Sequence, residues 1–370
     1  MDPLDVDLPE MEDSFTVNAG TDGIGAGSLL GNTRGSIGIG MSDVSVFGLK
    51  TRAERILFVI DADREMVTDK KGGLNSYKVI KDEITDMVAN LSTGTLFNVI
   101  LHDGKKTLGF KNQLVSAGQE IHRELVEWIA PINSNASSPG LEGVAQAGRP
   151  SLTTFRDHEV NKALRLSGGR ANETAFIAQH ALEQNLDAVF FITGYHRGFE
   201  RIRRRPTERE NKDWERTTSS NRYQKQLEAH RAEIPLMKKR IEEELKRQNK
   251  VRKSKGLPPR VLGQRHGFYS NANELGLEWE NPHPGFQPLY WINERDVRKY
   301  FRDLVKEIYT DKGGEEPSLN VILFLAGDET FRDEWAKSLD RYVRANSGKN
   351  RVIRGEDEIK SARSAQDTKN

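Results

Sequence analysis

Four short runs of large apolar side chains punctuate the sequence: Ile56-Leu57-Phe58-Val59-Ile60, Leu96-Phe97-Asn98-Val99-Ile100-Leu101, Ala188-Val189-Phe190-Phe191-Ile192 and Leu319-Asn320-Val321-Ile322-Leu323-Phe324-Leu325. A strand that is apolar on both faces belongs inside a parallel sheet covered by helices. Between the runs the period changes. Tyr77, Ile80, Ile84, Met87, Val88 and Leu91 recur at helical spacing after Gly72-Gly73, which predicts a helix over 74–91. Further helices are predicted over 118–130, 173–184, 294–309 and 330–345. Thr107 to Phe110 follows the turn His102-Asp103-Gly104-Lys105 and reads as an antiparallel partner of the second run. Arg351-Val352-Ile353 reads as a last edge strand. Strands alternating with helices imply a three-layer α/β sandwich with a mostly parallel sheet.

Two segments fall outside this alternation. Residues 1–50 hold eight glycines between Gly20 and Gly40 and few large apolar side chains, and they read as a tail or linker. Residues 195–289 interrupt the alternation. Within them, 235–253 is predicted helical, with Pro235 in its first turn and Gly256 and Pro258-Pro259 after it. The aromatics Phe268, Tyr269, Trp279, Phe286, Tyr290 and Trp291 follow and are expected to fold back onto the body. The division expected is a tail (1–50), an α/β domain (51–194 and 290–356), a basic insertion (195–289) and a C-terminal tail (357–370).

Charge sharpens this division. The chain of 370 residues carries a net charge of +1, but residues 195–265 carry +12 and the first 47 residues −7. The basic residues concentrate at Arg201, Arg203, Arg204 and Arg205, and along the helix at Lys238, Lys239 and Arg240. Nucleic acid or an anionic surface fits such a patch. A solvated helix face, or docking onto the chain's own acidic tail, is the favoured reading, and nucleic acid the less favoured one. There is no cysteine, which excludes disulfides, thiolate metal sites and cysteine nucleophiles. No run approaches the roughly 20 apolar residues that span a bilayer. The acidic start lacks the pattern of a signal peptide. The expected location is therefore cytoplasmic, or periplasmic if an anchor precedes the segment.

Ligands of open parallel sheets bind at the carboxyl ends of the strands. Asp61, Asp63, Arg64 and Glu65 follow the first strand, and Thr193 and His196 the third. Asp328 follows the fourth strand, and Arg170 and Asn172 precede a helix. Three carboxylates on one turn repel unless a cation is present. That cation is either a hard divalent ion such as Mg²⁺ or an arginine, Arg64 or Arg170. No histidine pair has metal spacing, no Gly-x-Ser-x-Gly elbow is present, and no Gly-x-Gly-x-x-Gly follows the first strand.

The run Arg55-Ile-Leu-Phe-Val-Ile-Asp-Ala-Asp63, the Gly-Gly helix start, Leu96–Leu101, Gly168-Gly169, Asp187–Gly194 and Asn320–Gly327 together resemble a von Willebrand factor type A domain. The resemblance covers most of 50–345 outside the insertion. It implies protein binding at the carboxyl edge of the sheet, through a Mg²⁺ held by an Asp-x-Ser-x-Ser turn, a loop Thr and a later Asp. Here Asp61 matches the first Asp. Asp63 and Glu65 stand where the serines would be, Arg170 where the Thr would be and Gly194 where the last Asp would be. One of five ligands is kept, which points to a degenerate, metal-free site with Arg170 as its cation. The expected role is a non-enzymatic binding module with a protein partner and either no cofactor or Mg²⁺. Haloacid-dehalogenase-type phosphatases share a second pattern: Asp61 and Asp63, Thr193, Lys299, and Gly327-Asp328 with Asp333. That resemblance implies a Mg²⁺-dependent phosphatase with Asp61 as nucleophile and Asp63 as general acid.

Overall fold

The computed structural model describes residues 40–141, 143–166, 170–195, 200–263 and 268–364. Order begins before the first predicted strand. β1 (Ser42–Val46) and β2 (Leu49–Ala53) form an antiparallel hairpin through Phe47 and Gly48, at φ 46° and 74°. Both turn residues have positive φ, as a two-residue turn matching strand twist requires. Val44, Val46 and Phe47 are buried, so the expectation of a linker up to residue 50 is corrected for 42–50. The carboxylate of Glu83, itself buried, accepts the Phe47 amide at 2.6 Å and the Ser364 amide at 3.1 Å. The hairpin and the segment after the last helix are thereby pinned to one side of the domain.

The body follows in chain order. β3 (Arg55–Asp61) leads through two short 3-10 turns, Arg64–Val67 and Asp69–Lys71, into α1 (Gly73–Ala89). Then come β4 (Leu96–His102), β5 (Thr107–Gly109), β6 (Val115–Ser116) and α2 (Gln119–Ile129). α3 (Glu159–Leu164), α4 (Arg170–Leu182) and β7 (Ala188–Thr193) lead to the insertion. That segment holds β8 (Arg203–Arg204), α5 (Glu208–Thr218), α6 (Asn221–Ser254), α7 (Phe268–Glu274) and β9 (Tyr290–Trp291). The body resumes with α8 (Glu294–Ile308), β10 (Ser318–Leu325), α9 (Asp333–Ala345), β11 (Asn350–Arg354) and α10 (Gly355–Ser361). α10 buries Ile359, so the expected C-terminal tail begins with a docked helix.

The central sheet has seven strands in the order β11-β10-β7-β3-β4-β5, with β6 also on β4. β11, β10, β7, β3 and β4 are parallel, and β5 and β6 run antiparallel to β4. Successive side chains of a strand point to opposite faces. Ile56, Phe58 and Ile60 therefore pack with Tyr77, Ile84, Leu125 and the hairpin, while Leu57 and Val59 pack with Phe176, Tyr300 and Leu339. Both faces are covered, which is why the strands read as unbroken apolar runs. Each fully buried Leu, Ile or Phe contributes about 1.5–3 kcal/mol.

The insertion leaves after β7 and is closed at its base by β8–β9, with Arg203 opposite Trp291 and Arg204 opposite Tyr290. α6 starts well before the predicted residue 235. Ser220 caps it by accepting the Tyr223 amide at 3.3 Å, and Pro235 lies in its interior instead of its first turn. Met237, Ile241, Leu262, Ala272 and Leu275 form a separate small core. The buried His230 stacks on Tyr269 and lies tilted against Trp279, and His283 stacks on Phe286 at 4.0 Å. Tyr269, Trp279 and Phe286 thus pack within the insertion and not onto the body. Among the described residues no helix is long and apolar enough to cross a membrane.

Candidate functional site

Strand order reverses beside β3, with β4 on one flank and β7 on the other, so a crevice opens outside the carboxyl ends of β3 and β7. Asp61 ends β3 there, and its side chain is 2% exposed. Oδ1 accepts the Asp63 amide at 2.9 Å. Oδ2 accepts the Thr193 hydroxyl at 3.1 Å and the Gly194 amide at 3.3 Å. Both oxygens are committed to holding the turn after β3 against the end of β7. Asp63 Oδ1 accepts the Glu65 amide at 2.8 Å and caps the first 3-10 turn. The fully buried Tyr77 hydroxyl is held protonated far above its usual range, by burial first and then by the negative charge of Asp61.

Lys71 is the residue that sequence reasoning missed. It is buried, and its ammonium donates to the Gly194 carbonyl at 2.8 Å. Asp61 and Lys71 therefore grip opposite ends of one residue, its amide and its carbonyl. A Cβ on Gly194 would fall inside the envelope of Lys71 Nζ and 2.7 Å from Met66 Sδ, so the glycine makes room for the lysine. These donors do not fit a divalent ion. The Asp61 oxygens are spent on hydrogen-bond donors, Asp63 caps a turn, and a cation already lies at Gly194. Among the described residues no group of three acidic or histidine side chains converges to hold a metal.

The other expected site residues divide. Thr193 is in place. Arg64 donates to the Leu262 carbonyl at 3.1 Å, reaching the insertion and not the acids alone. Asp328 pairs with Lys70 at 3.5 Å, both exposed. Glu65 and Asp328 line a cavity of about 420 Å³ with Thr68, Lys70, Lys71 and Glu329, roofed by Gly263, Ser270, Asn273 and Glu274 of the insertion. Asn172 bonds to the segment that follows β7. Its amide donates to Ala163 and Arg203 carbonyls, both at 2.9 Å, and its oxygen accepts the Arg203 amide. It anchors the base of the insertion. His196 and the Arg170 side chain lie outside the described residues. Lys299, required by the phosphatase pattern, lines a different cavity with Glu200, Arg302 and Tyr342.

The basic residues also divide. Arg201 stacks on Trp291 at 4.4 Å and Arg204 on Tyr290 at 5.4 Å, and Arg204 forks onto Glu210 at 2.9 and 3.0 Å. Glu210 is pulled down to about 2, chiefly by that hydrogen-bonded guanidinium. Arg203 contributes its backbone to β8, and Arg205 is exposed. Arg201 and Arg204 are thus spent on the base of the insertion, whereas Arg205 beside it and Lys238, Lys239 and Arg240 on α6 are exposed.

The tip of the insertion reaches the edge. Arg252 and Arg260 converge on Asp69 at 3.2 Å each, and Arg260 also faces Glu274 at 3.6 Å. Burial raises the Asp69 pKa, and the two guanidiniums oppose that rise. Asp69 and the arginines are each less than a quarter exposed, so losing one partner strands partly buried charge. Asp69→Ala is expected to loosen the tip by about 1–2 kcal/mol, read as a roughly 5–30-fold rise in protease cleavage around 255–263 with global stability little changed. Unchanged cleavage would show that the bridge does not hold the tip.

The chain is a doubly wound α/β sandwich. No family model and no curated protein matches it. Among solved structures it is similar to the PilB minor pilin from Streptococcus sanguinis, with a TM-score of 0.34 and 9% identity over 88% of this chain. This chain spans 60% of that one.

Proposed function

We propose that this chain is a protein-binding module of the von Willebrand type A kind whose binding edge carries its own cation. Lys71 takes the charge role that a divalent ion plays in that family. The observation that carries the reading is the pairing of Asp61 and Lys71 on the two ends of Gly194, the position where the family motif has an acid. An ammonium at that point offsets the Asp61 carboxylate without a diffusible ligand, so the turn is already formed before a partner arrives. Preorganisation of this sort lowers the entropy lost on binding. The exposed groups available to a partner are Lys70 and Asp328 on the body. The flank of the insertion lies next to them and sets which partners fit.

Two measurements test the reading. Calorimetric titration with Mg²⁺ or Mn²⁺ is expected to show no saturable binding. Micromolar affinity that vanishes in Asp61→Asn would overturn the built-in cation. Protein capture by the immobilised chain is expected to be unchanged by EDTA and lost in Glu65→Ala/Lys70→Ala/Asp328→Ala, which leaves the Asp61 turn intact. Capture that EDTA abolishes, or that ignores the triple substitution, contradicts the proposal.

A further inference from the structure

α6 exposes a stripe of lysines that the edge does not use. At 100° per residue, Lys239, Lys246, Lys250 and Lys253 fall within about 60° of one another, opposite the buried Met237 and Ile241. Lys239 pairs with Glu243 at 3.9 Å, and the exposed Glu242 lies one turn before Lys246. From residue 246 to the helix end the exposed positions are Lys246, Arg247, Lys250, Val251, Lys253 and Ser254, none of them acidic. Large apolar residues are exposed at either end of the stripe, Leu236 at 65% and Leu257 at 47%. The surface is therefore cationic, with an exposed leucine at each end.

The chain contains a segment of complementary pattern. Residues 2–13 read Asp-Pro-Leu-Asp-Val-Asp-Leu-Pro-Glu-Met-Glu-Asp, with six acids, no base, and apolar residues alternating with acids from Leu4 to Leu8. Extended backbone places such alternating residues on opposite sides. Residues 14–39 then lead to Gly40, whose carbonyl accepts the Thr95 hydroxyl at 2.8 Å near the start of β4. That is the amino end of the sheet, whereas the insertion leaves from its carboxyl end after β7. Twenty-six residues span at most about 86 Å, longer than the roughly 51 Å of the 34-residue α6 and ample for a domain of this size. Intramolecular tethering holds the two at an effective concentration in the millimolar range, enough to favour a weak electrostatic contact.

We propose that the acidic segment 2–13 docks on the Lys239–Lys253 stripe of the same molecule and screens it from other anions. Its carboxylates face the lysines.

The absence of cysteine makes the test direct. Ser14→Cys and Ser254→Cys are labelled with a donor and acceptor dye in the otherwise complete chain. Transfer efficiency is expected to be high at low salt, to fall at about 0.5 M salt, and to fall at low salt in Lys246→Glu/Lys250→Glu/Lys253→Glu. Changing the six acids of 2–13 to lysine in that variant is expected to restore transfer, a charge-swap rescue that mere misfolding cannot produce. Transfer insensitive to salt and to charge reversal, or rising with protein concentration as a second copy would require, overturns the proposal. A second arm uses a 20-nucleotide oligothymidine and phosphatidylserine vesicles as probes. Deleting 2–13 is expected to tighten either probe about tenfold. Equal binding with and without the segment would make the probe, and not the segment, the occupant.

Discussion

Asp61→Ala is expected to destabilise the chain by about 3–5 kcal/mol, seen as a fall in the urea midpoint at constant slope. The substitution removes the acceptor for the Asp63 amide, the Thr193 hydroxyl and the Gly194 amide at once. Thr193 and Gly194 are buried, and each stranded buried donor costs about 1–3 kcal/mol. Lys71 loses its nearby countercharge as well. The sign discriminates between models. Carboxylates clustered to await a metal repel one another, and removing one in metal-free buffer stabilises the fold. Loss of stability of the expected size identifies Asp61 as the clamp between β3 and β7. Asp61→Asn keeps the shape but only one accepting oxygen, and is expected to lose about half as much.

Gly194→Asp, which restores the acid of the family motif, is expected to cost about 3 kcal/mol. The new side chain displaces the Lys71 ammonium and crowds Met66, and it sets a second buried carboxylate against Asp61. Adding Lys71→Ala clears the space and is expected to recover at least 1 kcal/mol of that loss in a double-mutant cycle. The double variant, now acidic without its lysine, is expected to gain measurable Mn²⁺ affinity that the parent lacks. Additive losses with no metal binding would show that Lys71 and Gly194 act independently and that the lysine does not stand in for a cation.

The body of the fold was legible because its strands are buried on both faces, so β3, β4, β7 and β10 announce themselves without any periodicity. β1–β2 escaped because its turn is Phe47-Gly48, where asparagine or aspartate before glycine is the usual signal. The first half of α6 escaped because its inward face is carried by His230 and Glu233, polar residues whose burial depends on Tyr269, Trp279 and the backbone of Glu280 and Asn281. At the site, Asp61 and Thr193 followed from their places at strand ends. Lys71 did not, since Lys70-Lys71-Gly72-Gly73 reads as a solvated turn until the path of the chain folds Lys71 under Gly194. Asn172 has its contacts with Ala163 and Arg203, which its place in the sequence does not reveal. Strand-end residues are fixed by the sheet, while loop residues are fixed by contacts distant in sequence.

The two-stranded ladder at the base of the insertion bears on how the chain folds. β7 and β10 are sheet neighbours separated by more than 120 residues, and closing so long a loop costs about 1 kcal/mol more than closing one of 30–40. Once Arg203–Arg204 pair with Tyr290–Trp291, the loop that β10 must close shrinks to the short stretches on either side of that ladder. An insertion that zips itself shut shortens the chain for the sheet. Its length can then drift, by added or lost helical turns in α5 and α6, with little effect on the rate at which the body assembles.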